Sequence, residues 1–197
     1  MFGLLLEFVD VYFLNGYTYG RFMVMLGKAP LDIPLWIGVG WGIIMYSSRL
    51  YTDRLGLPIL AAAAFDALLA LNIDGTLDVT AYRLHMWDWG WSASPADPLT
   101  SQWFGIPWNN YFGWLVVIFT YSGFSRLFSK WKIKILIPLA SIVFSEIILF
   151  AFFNNINRWL YSHFGIRSLH LFISLSVLLI ILILSGWKKR RPVKQVA

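Results

Sequence analysis

The chain has 197 residues, of which 58% are hydrophobic, 18% are aromatic and only 13% are charged. This composition excludes a disordered protein, argues against a soluble globular domain, and fits helices in a lipid bilayer. The lack of cysteine excludes disulfides and thiolate metal sites, and three histidines are too few for a histidine-rich di-iron centre. The net charge of +6 indicates loop orientation in a membrane rather than nucleic-acid binding.

The predicted elements are membrane-spanning helices, each of which needs about 20 apolar residues. Residues 1–26 are apolar but interrupted by Glu7 and Asp10, so they are predicted to form either a sixth span or a partly inserted helix. Five further spans are predicted near residues 34–51, 57–78, 110–128, 133–153 and 169–187. The sequence therefore predicts one all-α membrane domain over residues 1–197, a polytopic bundle of five to six transmembrane helices.

The distribution of basic residues predicts the orientation of this bundle. Of the 16 Lys and Arg residues, eleven fall in predicted loops on the same side as the C-terminus, including the run at 188–191. Because cytoplasmic loops carry an excess of basic residues, we expect a multi-pass protein of the cell membrane with a cytoplasmic C-terminus. The sequence does not indicate the oligomeric state.

Acidic side chains in the predicted spans are the first candidates for chemistry. Asp66, Asp74 and Asp78 are spaced by eight and four residues, so they lie on roughly one helical face. Each carboxylate at the bilayer centre costs about 2.5–3.5 kcal/mol, so we expect this face to point into the bundle. Asp74 and Asp78 are about 6 Å apart along the axis and can serve one reacting atom, whereas Asp66 is about 18 Å from Asp78. Glu7 and Glu146 are further candidate acids.

Two carboxylates this close in a dry site do not both ionise, so one of them can donate a proton near neutral pH. The alternative is a structural role, in which Asp66, Asp74 and Asp78 bridge neighbouring helices or pair with Arg83. The sequence leaves both readings open.

The predicted connection between the second and third spans, residues 79–109, is rich in aromatic side chains. They are Tyr82, Trp87, Trp89, Trp91, Trp103, Phe104 and Trp108. This segment is predicted to be either an interfacial aromatic belt or a re-entrant lid whose indoles line a pocket. Because indole faces attract cations, a lid suits a reaction with a carbocation intermediate. A metal site from His85, Asp88 and the helix acids is the weaker alternative, and we predict no metal.

Three stretches carry recognisable motifs. Residues 103–114 read WFGIPWNNYFGW, residues 74–78 read DGTLD and precede WDW at 87–89, and Glu7 precedes YTYG at 17–20. These stretches resemble, respectively, the Y-[YF]-G-[VI]-P-x-x-N-[FY]-x-G-W signature, the D-x-x-x-D-P … W-x-W segment (with Val79 in place of the proline) and the opening of one family. That family is the membrane carotenoid biosynthesis proteins of the carotenoid 1,2-hydratase (bisanhydrobacterioruberin hydratase) type.

The resemblance implies an enzyme that adds water to the terminal double bond of an acyclic carotenoid end group. This hydro-lyase reaction needs an acid, a base and a carbocation, but no cofactor. The implied partners are a long polyene or isoprenoid substrate and the lipid bilayer, with no nucleic acid. The candidate catalytic residues are Asp74, Asp78, Glu7 and Asp66, and the candidate substrate-binding residues are Trp87, Trp89, Trp103, Asn110, Tyr111 and Trp114.

Three alternatives remain open from the sequence. A carotenoid or terpenoid cyclase uses the same protonation, but an internal alkene captures the cation. A non-catalytic carotenoid-binding protein would use the acids structurally, and a transporter would use them to relay protons. Product mass separates hydration from cyclisation, because only hydration adds a water molecule.

Overall fold

The computed structural model describes residues 1–14, 16–89, 102–130 and 132–190. Its helices are α1 (Phe2–Val9), α2 (Leu35–Asp53), α3 (Ile59–Arg83), α4 (Trp108–Leu127), α5 (Leu136–Ala151), α6 (Arg158–Phe164) and α7 (Ser168–Trp187). Wide π-helical turns, Asp10–Leu14 and Phe152–Asn157, continue α1 and α5. The predicted all-α bundle is confirmed.

Short antiparallel strand pairs close one end of the bundle. They are β1 (Thr18–Tyr19) with β4 (Trp87–Asp88), β2 (Met25–Leu26) with β3 (Ile33–Pro34), and β5 (Gln102–Trp103) with β6 (Ile106–Pro107). All three pairs lie where α2 and α4 begin and where α3 ends. They therefore fix the connecting segments over the helix ends on that side.

Proline residues mark the start of three helices. Pro34, Pro58 and Pro107 stand in extended conformation immediately before α2, α3 and α4. Proline suits this position because it lacks an N–H group and its fixed φ directs the chain into the first turn.

Helix α3 lies in the middle of the bundle and packs against α2, α4 and α7. Its first half is a run of buried small residues, Ala61–Ala64, followed by buried Ala67 and Ala70. Gly186 of α7 approaches Ala61 so closely that a Cβ atom at this glycine would overlap the alanine side chain. Small residues on both helices allow the backbones to meet, which is how helices associate in a membrane.

Three helical segments of the described chain are long and apolar enough to cross a membrane: Ile59–Arg83, Leu136–Phe164 and Ser168–Trp187. The second of them continues past the predicted end at residue 153, through the π turn and into α6. Helix α1 with its π turn is shorter than the roughly 20 residues that a span needs. The chain is thus a helical membrane protein, while spans at α2 and α4 stay predictions.

Candidate functional site

A cavity of about 660 Å³ opens at the end of the bundle that carries the strand pairs. It lies between α1 with its π turn, the first half of α2, the end of α3, the start of α4, and the segment from α5 to α6. Much of its wall is aromatic, with Tyr19, Trp36, Trp41, Trp87, Trp89 and Trp114 among the lining residues. The cavity therefore suits a hydrocarbon ligand with a π system or a developing positive charge.

Glu7 is held in this cavity by three hydrogen-bond donors. It is only 3% exposed, and it accepts hydrogen bonds from the hydroxyls of Tyr17 and Tyr19. The indole Nε1 of Trp41 donates a third hydrogen bond to Oε1 at 2.7 Å. Trp41 is itself fixed by stacking on Trp114, with ring centroids 4.1 Å apart. Residues far apart in the sequence thus converge to orient a single carboxyl group.

The protonation of this cluster follows from its burial. Burial raises the pKa of Glu7, while the hydrogen bonds from Tyr17, Tyr19 and Trp41 act in the opposite direction because they favour the carboxylate. Burial, and then the neighbouring Glu7 charge, raises the pKa of Tyr17 and Tyr19 well above the usual range. Both phenols therefore remain protonated donors.

Asp78 provides a second carboxyl group on the cavity wall. It is 4% exposed, and the side-chain amide of Asn110 donates a hydrogen bond to its Oδ2 at 2.6 Å. Trp87 also lies beside it. Asn110 belongs to the first turn of α4, where Pro107 starts the helix, so α4 positions the partner of a residue on α3.

Asp74 and Tyr111 lie directly behind Asp78. Asp74 is fully buried one turn earlier on α3, beside the carboxyl group of Asp78. Neither its carboxyl oxygens nor the hydroxyl of Tyr111 makes a hydrogen bond of normal geometry with another described residue. Neither side chain lines the cavity. These two residues therefore do not touch a group bound in the cavity, and they act on it only by way of neighbouring side chains.

The structure brings together most of the residues singled out in the sequence. Six of them line the cavity: Glu7, Asp78, Trp87, Trp89, Asn110 and Trp114. Asp66 and Trp103 lie elsewhere, and Trp91 lies outside the described residues.

Asp66 belongs to a polar cluster at the opposite end of α3. It accepts hydrogen bonds from Thr52 and Ser122, and it forms an ion pair with Arg126 at 2.6 Å. Arg126 also pairs with the exposed Asp53. This network joins α2, α3 and α4, so the geometry favours the structural reading of Asp66.

We expect Asp66→Ala to destabilise the protein by about 3 kcal/mol, because removing one partner leaves a largely buried guanidinium poorly paired. Thermal unfolding in detergent measures the loss, and turnover per folded molecule stays unchanged. Asp53→Ala is the matched control, since its half-exposed carboxylate contributes less. A folded but inactive Asp66→Ala protein would return Asp66 to the catalytic candidates.

Trp103 points away from the cavity because of the local turn. Phe104 and Gly105 both have positive φ, 50° and 92°, as a tight two-residue hairpin between β5 and β6 requires. The hairpin leaves Trp103 49% exposed, in contact with Phe104 and Trp108. At Gly105 a Cβ atom would also overlap the ring of Tyr82, so this motif position accepts only glycine.

The sequence-based prediction gave no role to Asp10 or Asn157, and it named Glu146 only as a further candidate acid. Asp10 and Glu146 both line the cavity and lie close enough to interact across α1 and α5. Helical spacing offered one signal, because Asp10 follows Glu7 by three positions and so shares its face.

Acidic side chains predominate among the ionisable groups of the cavity wall. Among the described lining residues, the carboxyl groups of Glu7, Asp10, Asp78 and Glu146 face a single guanidinium, that of Arg158. In the ranges that the structure describes, His, Asp and Glu side chains form no group of three arranged as metal ligands. A cationic intermediate would be stabilised here by both the carboxylates and the indole faces.

Comparison with known families covers nearly the whole chain. A family model described as "Carotenoid biosynthesis protein" matches residues 1–183. No curated protein and no solved structure matches the chain at a significant level. The family match extends well beyond the motif-bearing residues 7–114 and reaches into α7. The chain therefore belongs to the carotenoid biosynthesis protein family.

Proposed function

We propose that this protein hydrates the terminal double bond of an acyclic carotenoid end group. Membership of the family assigns it a role in carotenoid biosynthesis. The observation that carries the finer proposal is the pairing, in one aromatic-walled cavity, of Asp78 with the triply hydrogen-bonded Glu7. One carboxyl group then supplies a proton and the other receives one, so the reaction requires no cofactor.

The first step is protonation of the alkene by Asp78. Asp74 and Asp78 are adjacent and buried, so they do not both ionise and one proton stays on the pair. This proton bonds to the less substituted alkene carbon, using the π electrons of the double bond. The positive charge then lies on the tertiary carbon, where the indoles of Trp87 and Trp89, which line the cavity, stabilise it.

The second step is capture of the cation by water. The water oxygen forms a bond to the tertiary carbon, one of its O–H bonds breaks, and the proton passes to the Glu7 carboxylate. Tyr19 donates to Glu7 and also lies close enough to interact with Asp78, so it provides a route for returning the proton. The sum is one water added, with both carboxyl groups restored.

The proposal includes the arrangement in the membrane. Gly186, near the end of α7, lies against Ala61 at the start of α3, whereas Asp78 lies near the end of α3. The cavity is therefore at the end of the bundle opposite to the C-terminal end of α7. With a cytoplasmic C-terminus and several membrane passes, the cavity lies in the outer half of the bilayer. There a polyene from the lipid and water from the interface both have access.

The direct test is product mass in a host that makes an acyclic carotenoid. We expect pigments from cells with this protein to include a species heavier by one water, absent from cells that lack it. A product of unchanged mass with an altered absorption spectrum would instead indicate the cyclase. Unconverted pigment that copurifies with the protein would indicate a carotenoid-binding protein.

A further inference from the structure

Asn157 is a buried amide on the cavity wall that the steps above leave without a role. It is 1% exposed and lines the cavity. Its Nδ2 donates a hydrogen bond to Ser168 Oγ at 3.2 Å, but its Oδ1 makes no hydrogen bond with any described residue. Leaving a buried acceptor unpaired is costly, so this oxygen calls for a ligand that carries a hydrogen-bond donor.

The backbone around Asn157 also sets it apart. It ends the π turn Phe152–Asn157, immediately before α6. Such wide turns interrupt the regular helical register and are frequent at functional sites. Here the turn brings a polar side chain to a cavity that is otherwise walled largely by rings.

The neighbours of Asn157 connect it to the surface. Asn154 and Arg158 are both exposed, and both line the same cavity. One part of the cavity wall is therefore polar from the surface inward, ending at Asn157. A polyene gains nothing from such a strip, whereas a water molecule can hydrogen-bond along it.

We propose that Asn157 admits and holds the water molecule that the hydration consumes. This inference rests on the proposed function. A hydrocarbon end group has no O–H or N–H, so the substrate cannot satisfy Oδ1, but water can donate to it. A water molecule held by one O–H keeps a lone pair on its oxygen for the bond to the tertiary carbon. Its other proton is free to pass to a carboxylate.

The role is one of positioning, and it affects the fate of the cation rather than its formation. The cation either bonds to water or loses a proton and returns to the alkene. In D₂O the acid delivers deuterium, so each return to the alkene that removes one of the substrate's own hydrogens leaves deuterium in the recovered carotenoid. The ratio of hydrated product to deuterium in recovered carotenoid measures this partition and does not depend on the amount of folded protein.

The experiment incubates membranes containing the full chain with an acyclic carotenoid in D₂O buffer. We expect Asn157→Leu to lower the ratio at least about tenfold, because the apolar side chain removes the hydrogen bond to water. Asn157→Asp keeps an acceptor oxygen and restores most of the ratio. Asn155→Leu, which removes an exposed amide in the same turn that does not line the cavity, leaves it unchanged.

An unchanged ratio in Asn157→Leu would overturn the assignment, as would equal losses of hydration and deuterium exchange. If the leucine variant does not accumulate, the smaller Asn157→Val gives the same readout. Failure of the proposed function has a different signature, in which the unmodified protein gives neither hydrated product nor deuterium exchange.

Discussion

Asp78→Asn is expected to abolish hydration, lowering turnover by about 10²–10⁴-fold, the usual contribution of a general acid. Asparagine keeps the shape of the side chain but cannot donate a proton to carbon. In the unmodified protein the side-chain amide of Asn110 donates to Asp78 at 2.6 Å. In the variant this amide faces a second amide instead of a carboxyl group. The measurement is hydrated carotenoid formed per folded molecule, in membranes supplied with the acyclic substrate.

Two matched variants make this result interpretable. Asp88→Asn alters an exposed aspartate in the neighbouring strand β4 that does not line the cavity, so turnover should stay unchanged. Asp74→Asn should have an intermediate effect, because Asp74 shares the proton with Asp78 without touching the substrate. If Asp78→Asn retains full turnover, the acid is another group, and Glu7 and Glu146 become the candidates.

The sequence predicted the fold well because each of its signals is local. Long apolar runs and prolines at helix starts arise within one helix, and they require no knowledge of its neighbours. The ends of the helices depend on tertiary contacts. Hydropathy alone places the end of the second predicted span at Asp78, because a carboxylate is unfavourable in a membrane. Helix α3 instead continues to Arg83, since Asp78 is buried and hydrogen-bonded to Asn110.

The candidate site was predictable only in part, for the same physical reason. Spacing alone placed Asp74 and Asp78 one turn apart, and it equally placed Asp66 on their face. Helical spacing does not say which end of the bundle holds a cavity. Asp66 lies at the end away from the cavity, where it forms an ion pair with Arg126. The hydrogen bonds to Glu7 join α1, β1 and α2, so no single stretch of sequence reveals them.

Glu7→Gln is expected to lower turnover by about 10²–10³-fold, the range for removing a preorganised electrostatic contact. Glutamine has nearly the same shape, but it is neutral, and its NH₂ group faces donors instead of accepting from them. If the NH₂ group replaces Oε1, Trp41 loses its acceptor, and if it replaces Oε2, both Tyr17 and Tyr19 do. The cation also loses a fixed negative charge. Turnover per folded molecule measures the effect, with protein yield recorded separately.

Removing single donors should give a graded series that a purely structural Glu7 would not produce. Tyr17→Phe deletes one hydrogen bond to Glu7 and should reduce turnover modestly, by about tenfold. Tyr19→Phe deletes an equivalent hydrogen bond and, in addition, the hydroxyl between Glu7 and Asp78, so its effect should be larger. If all three variants lower thermal stability equally while turnover per folded molecule stays constant, Glu7 only anchors α1 to the bundle, and the base must be sought at Asp10 or Glu146.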